Sequence, residues 1–214
     1  MMKFEEARKA MVEGQIRTSD VTDMALLTAF REVPREDFVP KAMAHLAYAD
    51  LDLELATGHV LLRPRTLAKL LELADIQPDD GVLVMPGLTG YVPTLVHHLD
   101  PSRLDVVETN TGLNKTLTAN LKARGIKASV LKTLPKSAKT GYDVMVVAGS
   151  IAKIPEVWAG LLAPEGRLVC LERTGPVGHG MLYVNTSGGL SGQAMFEATS
   201  PWLEGYAPQS AFVF

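Results

Sequence analysis

The stretch VLVMPGLTGY, Val82–Tyr91, decides the fold. Its apolar run Val82–Met85 follows the polar QPDD of residues 77–80, then gives way to Pro86-Gly87 and a Thr-Gly step. That is the pattern of a buried strand entering a tight turn and then a helix. In nucleotide-binding α/β enzymes this junction is where the backbone meets the ligand. Such a turn wants glycines spaced G-x-G-x-G, because glycine takes positive φ cheaply and leaves the backbone bare. Here the order is Pro86, Gly87, Leu88, Thr89, Gly90. Proline fixes φ and has no N–H, and Leu88 puts a bulky side chain where close approach is needed. The sequence predicts a cradle partly filled in. Either the loop takes a different path, or Leu88 projects into the ligand volume.

Downstream, the chain alternates. Strands are predicted at Leu104–Glu108, Ala128–Leu131, Tyr142–Ala148 and Arg167–Leu171. Helices are predicted at Tyr91–Leu99, at Leu113–Arg124 with a stop at Gly125, and at Pro155–Leu162. The run YDVMVVA reads as a central parallel strand covered on both faces. GMLYVN and QAMFEA, joined by SGGLSG, read as an antiparallel hairpin at the sheet edge. The expectation is an α/β, Rossmann-like fold. It has a doubly wound, mostly parallel sheet, helices on both faces, and ligands at the carboxyl ends of the strands.

Upstream, Phe4–Gly14 reads as a helix ending at glycine. Asp20–Arg31 reads as a second, with Asp20 or Thr22 as N-cap. VPREDFVP reads as an extended connector, and residues 41–63 as irregular. Pro64 opens the helix PRTLAKLLELADI, where its missing N–H costs little. Residues 1–63 are thus expected to form a helical cap and connector, and residues 64–214 the α/β domain, in one compact unit.

A hydrophobic share of 47% in 214 residues suffices for a proper core. The net charge of −3 argues against nucleic acid or an anionic membrane as partner. No apolar run approaches the ~18 residues of a membrane helix. MMKFEEARKAMVEG lacks the pattern of a secretory signal, so a cytoplasmic location is expected. The lone Cys170, in RLVCLE, permits neither an intrachain disulfide nor a C-x-x-C metal site. It reads as a buried strand thiol. His59 is a candidate general base by residue type. His97 and His98 lack further partners for a metal, so no metal site is assigned. Elbow, P-loop and H-E-x-x-H motifs do not occur.

Several phrases occur in an order that resembles the protein-L-isoaspartate O-methyltransferases over nearly the whole chain. They are MVEGQIRTSDVTD, LLTAFREVPREDFVP, LAYADLDLEL, GHVLLRP, GYDVMVVAGSIAKIPEVWAGLLAPEGRLV and the closing FEATSPWLEGY. The resemblance implies an S-adenosylmethionine-dependent enzyme that methylates the α-carboxyl of isoaspartyl residues in aged proteins, with a protein or peptide as acceptor. Departures from the family pattern set the functional expectation. Against the family's G-Q-T-I-S-Q-P stand Gly58, His59, Val60, Leu61, Leu62, Arg63 and Pro64, so Leu62 holds the Ser position. A hydroxyl there can hold a carboxylate in line for attack; Leu cannot. Against V-L-E-I-G-T-G-S-G-Y, this chain replaces the acidic residue with Val84, the first Gly with Pro86 and the second with Leu88. An adenine-contacting Gly-Asp falls near Lys132 and Thr133. The resemblance leaves Gly87, Thr89, Gly90 and Glu108 as cofactor-binding candidates. Glu108 would accept the ribose hydroxyls, and no catalytic residue is secure. Binding of S-adenosylmethionine is expected to be weak or absent. The alternatives are a methyltransferase with a different acceptor and a non-catalytic relative acting in binding or assembly.

Overall fold

Gly81–Met85 is buried along its whole length, as a strand must be when parallel neighbours and packed layers surround it. In the computed structural model, which describes residues 3–208, this strand is β3. The preceding strands are β1 (Leu53–Ala56) and β2 (His59–Leu61). After it come β4 (Arg103–Val107), β5 (Ser129–Leu131), β6 (Tyr142–Ile151), β7 (Leu162–Arg173), β8 (Gly178–Thr186) and β9 (Gly189–Glu197). The main sheet has seven strands in the order β5-β4-β3-β6-β7-β8-β9. Strands β5 to β7 run parallel, while β7-β8-β9 form an antiparallel meander. Val82 pairs with Leu104 on one side and Val144 on the other, so the three expected strands are neighbours. The strand order reverses between β3 and β6, the switch point where ligand crevices open in such sheets.

The period of two divides the core. Val82, Val84, Val106, Val144 and Val146 face one layer with the helices. Leu83, Met85, Val107, Met145 and Val147 face the other. The helices are α1 (Phe4–Met11), α2 (Met24–Glu32), α3 (Pro64–Ala74), α4 (Tyr91–His97) and α5 (Thr111–Ala123). All five contribute to the first layer, through residues such as Met11, Phe30, Leu67, Leu95 and Leu117. The residues before Pro64 therefore share the main core. Helices on both faces were expected, and here the structure differs. The second layer is closed by the 3-10 helix Glu156–Leu161, the segment after β5 and the residues around Leu203. Only six residues form that helix, too few for α-helical turns to span the face.

Local differences have local causes. The first helix does not end at Gly14. A π-helical turn, Val12–Ile16, runs through it, and the altered register buries both Val12 and Ile16. The second helix begins at Met24, capped by Asp23, whose side chain accepts the Leu26 N–H at 2.6 Å. Asp20 instead ends a 3-10 turn at φ 65°, and Thr22 donates to Glu72. VPREDFVP is not wholly extended: Arg35–Phe38 is a 3-10 turn flanked by extended Pro34 and Val39. Residues 41–63 are not irregular. They hold a 3-10 helix, Lys41–Leu46, and the bulged hairpin β1-β2, whose short strands give no readable period. Pro64 at the start of α3, the stop at Gly125 (φ 68°) and the β8-β9 hairpin stand where the sequence puts them.

Asp23→Ala removes the cap that positions α2, and urea denaturation is expected to show a loss of about 1 kcal/mol. No measurable loss would show that the Glu72 contacts alone hold the entry to α2.

Candidate functional site

The loop between β3 and α4 closes on itself. Gly87 N–H donates to Val107 O at 2.8 Å and Gly90 N–H to Gly87 O at 2.9 Å. Gly90, at φ 105°, starts α4. A Cβ at Gly87 would stand 2.5 Å from Val106 Cγ1 and 2.7 Å from Leu117 Cδ2. This glycine is required by the chain's own packing. Leu88 adopts positive φ, 51°, despite its side chain. Its side chain does not fill a ligand volume: it is buried in the helical core. Thr89 points toward the N-terminal cap, its hydroxyl donating to Phe38 O, and its carbonyl accepts Asn120 Nδ2 at 2.8 Å.

Glu108 follows β4 directly and is 1% exposed. Its Oε2 accepts the Leu88 N–H at 2.6 Å, and its Oε1 accepts the Asn110 N–H at 2.8 Å. Burial pushes its carboxyl above the ordinary range, while those N–H groups and His59 pull the other way. His59, at the start of β2, is also buried. Its Nδ1 lies 3.0 Å from Thr57 O, so that nitrogen donates. Its Nε2 lies 3.6 Å from both Glu108 Oε1 and Glu204 Oε2.

Leu62 is buried, and its carbonyl accepts Arg35 Nη2 at 2.8 Å. Arg35 is fully buried and stands 5.0 Å over the Tyr91 ring. Among the described residues, its Nε and Nη1 and the Tyr91 hydroxyl make no hydrogen bond of good geometry, and the two side chains interact chiefly with each other. Desolvation lowers the Arg35 pKa and raises that of Tyr91 to about 12. Sequence reading missed this pair. No signal in VPREDFVP marks Arg35 as the buried charge, since Glu36 and Asp37 follow it directly.

A cavity of about 170 Å³ lies between His59, Pro86, Val107, Leu134, Leu203 and Tyr206. The segment Ser200–Tyr206 forms one wall. Leu203 N–H donates to Ser150 O and Ala152 N–H to Tyr206 O, each at 2.8 Å. Of the sequence candidates, His59 lines this cavity; Gly87, Thr89, Gly90, Glu108 and Leu62 do not. Among the described residues, no group of three or more His, Cys, Asp or Glu side chains is placed to hold a metal.

The profile of the family described as protein-L-isoaspartate(D-aspartate) O-methyltransferase matches residues 6–182. The chain belongs to this family. A protein-L-isoaspartate O-methyltransferase of Methylorubrum extorquens is 33% identical over 77% of this chain and 73% of its own length. One from Trichlorobacter lovleyi is 33% identical over 79% of each. Among solved structures, a chain assigned as the beta-aspartate methyltransferase of Plasmodium falciparum, in complex with S-adenosyl-L-homocysteine, superposes with TM-score 0.75 at 16% identity. The match covers 92% of this chain and 98% of that one. Another protein-L-isoaspartate O-methyltransferase superposes with TM-score 0.75 at 20% identity, and this chain spans 65% of its length. Both share the fold of the S-adenosylmethionine-dependent methyltransferases.

Two measurements test the loop. Gly87→Ala forces Val106 and Leu117 apart and is expected to cost about 1–3 kcal/mol in chemical denaturation. Glu108 has a raised folded pKa, so between its ordinary value of 4.5 and that raised value the folded state holds more protons than the unfolded. Its contribution to stability is present at more acid pH and is lost as pH rises through this window. Stability relative to Glu108→Gln is expected to fall across it; a rise would show that the two N–H groups outweigh burial.

Proposed function

We propose that this chain keeps the methyltransferase scaffold of its family with methyl transfer to isoaspartyl carboxylates weak or lost. It would act in the cytoplasm by binding a protein or peptide, with no nucleic-acid or membrane partner. One observation carries the reading: Glu108, which by resemblance would receive a ribose diol, is 1% exposed and does not line the cavity, and its carboxylate is turned to the backbone N–H groups of Leu88 and Asn110. Three others support it. The cavity of about 170 Å³ is smaller than the ~300–1,000 Å³ of ordinary ligand pockets. Val106 and Leu117 occupy the space beside Gly87. Leu62, at the acceptor position, is buried and offers no hydroxyl. As arranged, these residues do not fit S-adenosylmethionine, and no catalytic step is derived through it.

Isothermal titration with S-adenosylmethionine and S-adenosylhomocysteine tests the reading, alongside a radiolabelled methyl assay on an isoaspartyl peptide. No heat at millimolar ligand and negligible transfer are expected. Leu62→Ser alone is expected to restore nothing, because the Glu108 contacts persist. Low-micromolar binding of S-adenosylhomocysteine, or turnover like that of an active family member, would overturn the proposal.

A further inference from the structure

The chamber at the carboxyl ends of β3 and β4 is small, but it is a defined site. Its inner walls are Met85, Pro86, Val107, Leu134 and Leu203. Its polar lining is His59, Thr109, Thr133, Tyr206 and Glu204; His59 is buried and held by Thr57, while the Glu204 side chain is 67% exposed. An apolar cavity of about 150 Å³ in another protein binds benzene, and this one measures about 170 Å³. Methionine sulfur makes favourable contacts with ring edges, and Met85 ends the central strand against this space.

Resting on the proposed loss of the family cofactor, we infer that this chamber binds a small, neutral aromatic molecule carrying one hydrogen-bond donor, of the size of phenol or indole. The ring fills the apolar interior, and the donor reaches the Glu204 carboxylate at the rim. Glu204 is free to accept: its Oε2 stands 3.6 Å from His59 Nε2, beyond hydrogen-bonding distance. Glu108 is out of reach: it is 1% exposed and does not line the chamber. An aromatic carboxylate is rejected, because it would meet Glu204 with Glu108 close behind on the other side of His59 Nε2.

The test is a methyl-resolved NMR titration of the whole chain with indole, indole-3-carboxylate and S-adenosylhomocysteine. Indole is expected to shift Met85, Val107 and Leu203 methyls, with at least about tenfold tighter binding than indole-3-carboxylate. Glu204→Gln is expected to abolish that preference. Leu134→Trp, which fills the chamber, is expected to weaken indole binding by about tenfold or more. If the native chain shows no shift of those methyls up to the solubility limit of indole, the inference fails while the proposed loss of cofactor stands. Equal binding of indole-3-carboxylate removes the role of Glu204. Low-micromolar S-adenosylhomocysteine that displaces indole overturns both readings.

Discussion

A buried carboxylate accepting two main-chain N–H groups is the constraint on which this molecule turns. Glu108 sits where β4 ends. By receiving Leu88 and Asn110 it fastens the loop after β3 to the segment entering α5. A carboxylate removed from water needs donors, and the loop supplies them. The loop in turn needs a reason for Leu88 to sit at positive φ, a conformation that costs a non-glycine residue on the order of 1 kcal/mol or more. The hydrogen bond to its N–H and the burial of its side chain supply that reason. Each half explains the other.

The same economy explains the neighbouring cap. Arg35, fully buried, holds the Leu62 carbonyl and lies over Tyr91, so the acceptor segment, the cap and the start of α4 are joined through one guanidinium. Among the described residues, two of its nitrogens make no hydrogen bond of good geometry, which is costly for a buried cation. Their position makes Arg35 a tie between elements that ordinary apolar packing would leave free to slide.

The sheet was legible because its strands carry continuous apolar runs, as in YDVMVVA, and its hairpin because SGGLSG separates two strand-like phrases. The β1-β2 hairpin was not, because strands of four and three residues are shorter than any window in which a period shows. The cap of α2 was misplaced by three residues from Asp20 and one from Thr22 because several polar residues precede the helix and only tertiary contacts choose among them. At the site, residue types were readable but directions were not. Gly87 lies one position off the family's glycine spacing, and a side chain there would meet Val106 and Leu117, while the Thr89 hydroxyl turns to Phe38. Sequence shows which groups could meet a ligand. It does not show that the protein has already turned them inward.

The two faces of the sheet differ in how they are closed. The helical layer is one core that runs from Met11 to Leu171. The opposite layer is sealed when Leu203 presses on Gly149 and Trp202 bridges to Ser150, across the whole of β7, β8 and β9. The Ser200–Tyr206 segment is held by few backbone bonds and is the part of this layer that opens at least cost. Amide exchange at Ala152 and Leu203 is therefore expected to run ahead of exchange in β3, so that the molecule breathes through one face first.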